Sequence, residues 1–304
     1  MEKLEPGTYI VAVSGGVDSM VLLDLLRHQA DLTLVVAHVD HGARADSYLD
    51  HDLVESYAAK HGLTFESTRL ALGSHPSEAA ARSARYSFLQ HCSKKYKARS
   101  IILAHHQDDL IETALLAIMR GTGWRGLAPF GGPSTCERPL INVTKHTLIG
   151  YARTHSVPWR EDSTNTDETY TRNYIRHTLI PMLDQKSATW REEFLQHIRN
   201  QRLLRAKIEP ELTKWLDTCV QFHNGMAIMR RYNLIMLPQD VAYELFQQLL
   251  RRLTGNSLER AQAESAVLFV KVAKPQKILQ LNGDWQLRAE SANVIVEPRT
   301  PVLS

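Results

Sequence analysis

Cysteine is scarce in this sequence of 304 residues, which contains three, at Cys92, Cys136 and Cys219. An odd number of widely separated cysteines argues against a disulfide framework, a CxxC redox pair and a cysteine-ligated metal cluster. Such sparse use of cysteine suits a reducing compartment, so we expect a cytoplasmic protein.

Long apolar runs are also missing, and no segment approaches the roughly 18–20 residues needed to cross a bilayer. The first seven residues carry Glu2, Lys3 and Glu5 and lead into a strand-like run, unlike a secretory signal. We therefore expect no membrane partner. With 43% apolar and 23% charged residues, the composition is that of a globular protein.

Neither sign of charge dominates, since the formal net charge is +3. Residues 1–187 carry 20 Lys and Arg against 21 Asp and Glu, whereas residues 188–304 carry 16 against 12. The C-terminal part is the more basic one, which a solvated helical surface explains at least as well as a nucleic-acid face.

Strand-like and helix-like segments alternate through the first half of the chain. Apolar runs cover residues 9–14, 32–39 and 100–104, and residues 63–70 are a plausible further strand. Helical patterns follow these four segments in residues 17–28, 47–60, 77–96 and 108–119. This alternation predicts an α/β fold with parallel βαβ units in a doubly wound sheet. Ligands of such sheets lie beyond the carboxyl ends of the strands.

The second half is predicted to be less regular. The patterns indicate a Gly- and Pro-rich loop at 121–139, a helix at 144–154 and a helical pattern at 174–183 that is broken by Pro181. A long amphipathic helix follows at 189–222, with a kink or break at Pro210. Short strands at 226–229, 277–281 and 293–297 and helices at 239–253 and 258–270 predict a small α+β module. We predict a first domain at 1–187, a helical linker at 188–222 and a smaller α+β domain at 223–304.

The segment from Ser14 to Ser19, with the sequence SGGVDS, lies between the first strand and the first helix. Its two glycines allow close approach of the backbone to a ligand, and the N–H groups of a helix N-terminus bind anions. The carboxylate of Asp18 would be repelled by a bare phosphate. Its presence in this segment is explained if Mg²⁺ bridges the carboxylate and the phosphates. The segment matches neither GxxxxGK[ST] nor GxGxxG. The alternative is a tight turn in which Asp18 caps the helix.

Two further polar clusters follow the second and fourth strands. The first, from His38 to Gly42, has the sequence HVDHG and suits nucleotide contact, metal ligation or simple turn chemistry. The second, HHQDDLIET, places Asp109 and Glu112 on one helix face, either as complements to the helix dipole or as a site for an ammonium group or Mg²⁺. Arg82 and Arg85 also share a helix face, as a phosphate site or a solvated pair.

These clusters, in this order, resemble the PP-loop ATP pyrophosphatase superfamily and, within it, the tRNA(Ile)-lysidine synthetase family. The segments that carry the resemblance are Ser14–Ser19, His38–Gly42 with Arg44, Ala81–Leu89, Leu103–Thr113, Arg120–Leu127, Arg138–Leu140, Trp159–Asp167 and Tyr170–Arg176. The SGGxDS segment alone identifies the superfamily, whereas the HHxDD, RGTGWRGL and EDxxN segments are specific to the family.

The resemblance implies a PP-loop, HUP-like fold and a two-step ligase. ATP, with Mg²⁺, adenylates the wobble cytidine of a tRNA(Ile) with a CAU anticodon, and free L-lysine then displaces AMP to give lysidine. We expect the C-terminal domain to bind tRNA and the assembly to be a homodimer. The chain resembles shorter family members, so we expect it to lack the second C-terminal domain of longer ones. It also has Tyr174 where a basic residue is common.

The matched motifs also imply roles for individual residues. ATP binding is assigned to Ser14, Gly15, Gly16, Val17, Asp18, Ser19 and His38, with Asp18 also the Mg²⁺ ligand. Catalysis is assigned to Asp18, Arg85, Asp109 and Glu112, of which the last two bind lysine. Contact with tRNA is assigned to Arg172 and Arg176 by the matched segment. Outside the motifs, the basic charge of the predicted long helix makes Arg202 and Arg205 further candidates for pairing with tRNA phosphates.

Three other functions compete with this hypothesis. A PP-loop cytidine thiolase would typically need cysteine pairs or a cluster, which this sequence lacks. A small-molecule adenylating ligase, such as one of NAD or GMP synthesis, would turn over ATP without tRNA. A non-catalytic RNA-binding module would not require the carboxylates and arginines named above.

Overall fold

The computed structural model describes residues 3–40, 42, 46–70, 78–131, 136–161, 171–255, 258–281 and 284–299. The chain divides into two compact units, Met1–Arg202 and Leu203–Ser304. The division falls inside the long helix that was predicted to be a linker, so that each half of this helix belongs to a different unit. The predicted residues His41, Arg44 and 162–170 lie outside the described part of the chain.

Strands and helices alternate in the first unit. Its elements are β1 (Gly7–Ala12), α1 (Val17–Arg27), β2 (Leu32–Asp40), α2 (Tyr48–Lys60), β3 (Thr64–Arg69), α3 (Glu78–Lys95), β4 (Ser100–Ile102), α4 (Gln107–Met119), β5 (Cys136–Glu137), α5 (Lys145–Thr154), α6 (Thr171–Tyr174), a π-helical turn (Ile175–Leu179) and α7 (Ile180–Lys186). Helix α8 (Trp190–Cys219) begins in this unit and ends in the second.

The strands described in the first unit form one parallel sheet in the order β3-β2-β1-β4-β5. Strand β1 lies between β2 and β4, with Ala12 opposite Ala37 and Val11 opposite Ile102. The strand order therefore reverses at β1, which is where open α/β sheets bind ligands. The predicted doubly wound sheet is confirmed, and the segments after β1, β2 and β4 emerge at one edge.

Both faces of strands β1, β2 and β4 are buried, which explains why these strands are continuously apolar. Tyr9 and Val11 of β1 point to one face and pack in a core with Met20 of α1 and Leu148 of α5. Alternate residues such as Ile10 point to the other face, in a core that includes side chains of α3. Helices on both sides thus hold β1 in place, and with it the segment that follows.

Within the first unit and α8, two prolines and one short strand differ from the prediction. Pro181 lies just after the π-helical turn and does not end the helical run, which continues to Lys186, and α8 continues through Pro210 to Cys219. Of the predicted kink or break at Pro210, the break is therefore wrong. Strand β5 lies in the segment predicted to be a loop. It was not predicted because two residues are too few to show a strand periodicity.

The second unit combines an antiparallel sheet with helices. Its elements after α8 are β6 (Val220–His223), β7 (Met226–Arg230), α9 (Arg231–Ile235), α10 (Gln239–Thr254), α11 (Arg260–Val272), β8 (Ile278–Gln280), β9 (Trp285–Ala289) and β10 (Asn293–Pro298). The sheet order is β6-β7-β10-β9-β8, and Phe246 and Leu249 of α10 pack in its core. The predicted α+β module is confirmed.

None of the helices in the described ranges combines the length and apolar character that crossing a membrane requires.

Candidate active site

The segment from Ser14 to Ser19 forms a turn between β1 and α1, called here the Ser14–Ser19 turn. The Ser19 hydroxyl donates to the Gly16 carbonyl at 2.9 Å and accepts from the Ser14 amide at 3.1 Å. In the described part of the chain, no side chain caps the N-terminus of α1 at Gly16. The amides of the first turn of α1 are thus available to an anion.

Gly15 is required at its position by both conformation and space. Its φ of +94° lies in the region that other residues rarely adopt, and a Cβ there would lie 3.2 Å from the Cβ of Asp50. The adjoining segment also fixes this backbone, because the Arg160 amide donates to the Gly15 carbonyl at 3.1 Å. The Arg160 guanidinium in turn donates to Asp50 and Asp46, at 2.9 Å each. Arg160 thus supports the turn, a role that its motif did not indicate.

Asp18 is held by a lysine from a distant part of the chain. The Nζ of Lys145, at the N-terminus of α5, lies 2.8 and 2.7 Å from the two carboxylate oxygens of Asp18. The backbone amide of Lys145 donates to Asp108 at 2.8 Å, which fixes this lysine against the start of α4. The Asp18 carboxylate is therefore already a cation-binding group.

His106 links the Ser14–Ser19 turn to the carboxylates of α4. Its Nε2 lies 3.7 Å from an Asp18 oxygen and 3.6 Å from an Asp109 oxygen, and the residue is 4% exposed. The same Asp109 oxygen accepts the His106 amide at 2.9 Å, which satisfies one of the free donors of the helix start. The structure thus brings Asp18 and Asp109 to the same ring nitrogen of one buried imidazole.

Glu112, one turn further along α4, is paired with Arg176. The two carboxylate oxygens accept from the Arg176 guanidinium at 2.7 and 2.8 Å, while Arg172 lies 3.9 Å away. The Glu112 side chain is 3% exposed, and its hydrogen bonds raise the pKa of Arg176. The π-helical turn that carries Arg176 is of a kind found frequently at functional sites. The residue predicted to contact tRNA thus binds the residue predicted to bind lysine.

Basic side chains surround His105 at the end of β4. Arg138 donates to its Nδ1 at 3.1 Å, and the ring of Phe130 stacks on it with a centroid separation of 4.5 Å. Burial first, and then the positive charges of Arg138 and Arg85, lowers the pKa of His105 to about 3. The predicted catalytic Arg85 therefore lies near the same strand end as His105.

This lowered pKa predicts a pH dependence of stability. The unfolded chain binds a proton at His105 below about pH 6.5, whereas the folded chain stays neutral there down to about pH 3. The free energy of unfolding should therefore fall as the pH falls through this window. We expect His105→Asn, which retains an acceptor for Arg138, to reduce the slope by up to about 1.4 kcal/mol per pH unit. Urea unfolding near pH 7 and pH 5 measures this, and parallel wild-type and variant profiles would contradict it.

His38 and Asp40 lie at the end of β2. His38 Nδ1 is 2.9 Å from the Val13 carbonyl, to which it donates as the neutral imidazole, and burial lowers its pKa. Its buried Nε2 has no hydrogen-bond partner among the described residues and can accept one from a ligand. Asp40 accepts from the Gly42 amide at 2.8 Å, which fits turn chemistry better than metal ligation.

The remaining predicted residues lie on helices further along the chain. Arg172 lies in α6 and donates to the Thr113 hydroxyl at 3.3 Å. Arg202 and Arg205 lie on α8, the latter in the second unit, where it donates to Glu209 at 2.8 Å. Their roles in tRNA binding stay predictions.

Comparison with known proteins identifies relatives along most of the chain. A family model described as a PP-loop domain matches residues 1–183. The tRNA(Ile)-lysidine synthase of Bacillus cereus is 37% identical over 310 residues, covering 92% of this chain and 63% of that protein. The synthase of Exiguobacterium sibiricum is 40% identical over 168 residues, covering 54% of this chain and 40% of the relative. The resemblance expected from the motifs is thus confirmed.

The chain is shorter than these relatives, of which it spans 40% and 63%. Among solved structures, it is similar to a U34-tRNA thiolase of Methanococcus maripaludis with a [4Fe-4S] cluster, at a TM-score of 0.55 and 15% identity, covering 66% of this chain and 73% of that one. At this identity the likeness supports the fold alone.

Proposed function

The chain belongs to the PP-loop domain family, and on that premise we propose that it joins lysine to the wobble cytidine of a tRNA(Ile) with a CAU anticodon. The observation that carries the proposal is the position of buried His106 between Asp18 of the Ser14–Ser19 turn and Asp109 of α4. The proposed site for the pyrophosphate leaving group and the proposed site for the amino group of lysine thus both adjoin the His106 imidazole.

The proposed reaction has two steps. The carbonyl oxygen O2 of the cytidine attacks the α-phosphorus of ATP, and the bond to pyrophosphate breaks. The neutral ε-amine of lysine then attacks C2 of the base, the C2–O2 bond breaks, and AMP leaves with that oxygen. The amine loses its proton to a base, for which the carboxylate of Asp109 is proposed. Pyrophosphate and AMP are therefore formed in equal amounts.

The Ser14–Ser19 turn is proposed to bind the pyrophosphate portion of ATP. The backbone amides of the first turn of α1 are donors fixed before the charge of the leaving group develops, which favours the transition state, while the hydroxyls of Ser14 and Ser19 hydrogen-bond within the turn and hold its shape. His38 Nε2 is a neutral, buried acceptor at the same sheet edge and suits the amino group of adenine. Arg85 is proposed to stabilise the adenylate or the departing AMP.

Asp18 fits the proposed role of Mg²⁺ ligand. Magnesium is usually held by one or two carboxylates together with substrate phosphates, and Asp18 lies beside the proposed phosphate site, where its two oxygens already hold an ammonium group. When bound, Mg²⁺ would neutralise charge on the phosphates. Asp18 itself would orient the phosphates relative to the turn.

Lysine is proposed to bind through Asp109 and Glu112. Asp109 has one carboxylate oxygen without a hydrogen bond to the described residues, and this oxygen is available to an ammonium group. Both Glu112 oxygens accept from Arg176, so direct binding of lysine at Glu112 requires that Arg176 move away. Transfer of Arg176 to a phosphate of the tRNA would release Glu112, which would couple tRNA binding to lysine binding.

Binding of tRNA is proposed to involve Arg172, Arg176, Arg202 and Arg205, with the second unit as the tRNA-binding domain. Neutralisation of phosphates would make the affinity for tRNA fall with salt concentration. A homodimer and a cytoplasmic location are further proposals, of which the first is tested by light scattering of the purified chain.

The competing functions have less support. Cys92 and Cys136 of the first unit are buried, and burial raises the pKa of the Cys92 thiol, which does not suit sulfur transfer. A small-molecule ligase is favoured by no specific contact among the described residues.

A single incubation with omissions tests the proposal. The purified chain is mixed with ATP, Mg²⁺, L-lysine and unmodified tRNA(Ile), and AMP is measured with each component left out in turn. We expect AMP formation to require both lysine and tRNA. Formation without tRNA would favour a small-molecule ligase, and sulfur incorporation into tRNA would favour a thiolase.

A further inference from the structure

Lys145 is a residue that neither the motifs nor the comparisons single out. It opens α5, where Thr144 accepts the Thr147 amide at 3.2 Å and Asp108 accepts the amide of Lys145 itself. These contacts fix the backbone of Lys145, while its side chain is 39% exposed. The backbone of Lys145 is therefore fixed, while its flexible side chain leaves the ammonium group accessible to solvent.

We infer that Lys145 is a phosphate-binding residue, which pairs with Asp18 when no nucleotide is bound and moves onto the triphosphate when nucleotide binds at the Ser14–Ser19 turn. This inference rests on the proposed function, since it requires a triphosphate at that turn. It assigns Lys145 a contact with substrate, and Asp18 two alternative cationic partners.

The geometry supports exchange rather than a permanent ion pair. The Lys145 Nζ lies within 2.8 Å of both Asp18 oxygens, so a metal ion that used this carboxylate would compete directly with the ammonium group. Once displaced, the ammonium group would lie beside the turn where the phosphates are proposed to bind. A lysine ammonium is a compact, mobile charge that serves well as a phosphate ligand.

The inference predicts opposite effects of one substitution on two ligands. Removal of the competing ammonium group in Lys145→Met should make Mn²⁺ alone, as a probe for the Mg²⁺ position, bind about threefold to tenfold more tightly. The same variant should bind ATP with Mg²⁺ about tenfold or more weakly, because one phosphate contact is lost. Since exposed ion pairs contribute little to stability, the variant is expected to fold.

Calorimetric titration of the full chain with Mn²⁺ alone, and separately with ATP and Mg²⁺, measures both effects. Lys145→Arg, which keeps the charge, should retain weak Mn²⁺ binding and most of the ATP affinity. Lys95→Met is the matched control, because it breaks the Lys95–Glu66 ion pair of 2.6 Å elsewhere and should change neither affinity.

The outcomes separate this inference from the proposed function. Opposite changes in Lys145→Met support the inference. Unchanged affinities, or parallel losses for both ligands, overturn it while leaving the proposed function in place. A wild-type chain that binds no ATP overturns both.

Discussion

Replacing Asp18 with Asn is expected to lower the rate of lysine-dependent AMP formation on tRNA by about 10²–10³-fold or more. The substitution removes the charge with which Asp18 would orient the phosphates, while its size stays the same. Because Asp18 is partly exposed and touches Lys145 and His106 at the surface of the turn, the fold should persist. Initial rates at saturating ATP, lysine and tRNA measure the effect.

The control for this variant is Asp52→Asn, which removes an exposed carboxylate of α2. We expect it to leave the rate unchanged. Circular dichroism should be the same for both variants and the wild type. An Asp18→Asn variant with an undiminished rate would show that the catalytic role assigned to Asp18 is wrong.

Replacing Arg176 with Met should destabilise the first unit by about 3–5 kcal/mol near neutral pH. The reason is that Glu112 is 3% exposed and would lose both charged hydrogen bonds, leaving a buried carboxylate whose remaining ion pair among the described residues is with Arg172, at 3.9 Å. Urea unfolding at neutral pH measures it.

Two further variants isolate the pair. Arg172→Met removes the more distant guanidinium and should cost less than about 1 kcal/mol. The double variant Arg176→Met with Glu112→Gln should recover part of the loss, since a neutral amide is less costly to bury unpaired. Equal losses for Arg172→Met and Arg176→Met would contradict the assignment of Arg176 as the partner of Glu112.

Most of the fold of the first unit could be predicted because its signals are local. The strands flanking the site are buried on both faces and read as apolar runs, and helices such as α1 and α4 show clear periodicity. Shorter elements such as β5, β6 and β9 depend on pairing with a neighbouring strand and give no local signal. The continuation of α8 through Pro210 likewise depends on packing at both of its ends.

The motifs of the candidate site could be predicted from the sequence, whereas the residues that pair with them could not. The SGGxDS and HHxDD segments follow β1 and β4, and the parallel sheet places such segments at one edge. Lys145, however, is 127 residues from Asp18, and a lysine before a helical pattern has no distinguishing feature. The pairing of Arg176 with Glu112 is similarly a tertiary contact, since both residues carry recognisable motifs but no indication that they meet.

The fate of one oxygen atom distinguishes the proposed two-step reaction from its alternatives. A tRNA(Ile) that carries oxygen-18 at O2 of its wobble cytidine is incubated with the chain, ATP, Mg²⁺ and lysine, and the AMP is analysed by mass spectrometry. Attack of O2 on ATP followed by displacement by lysine predicts that the label appears in AMP in proportion to the lysine incorporated. Unlabelled AMP, with the label retained in the tRNA, would contradict the account.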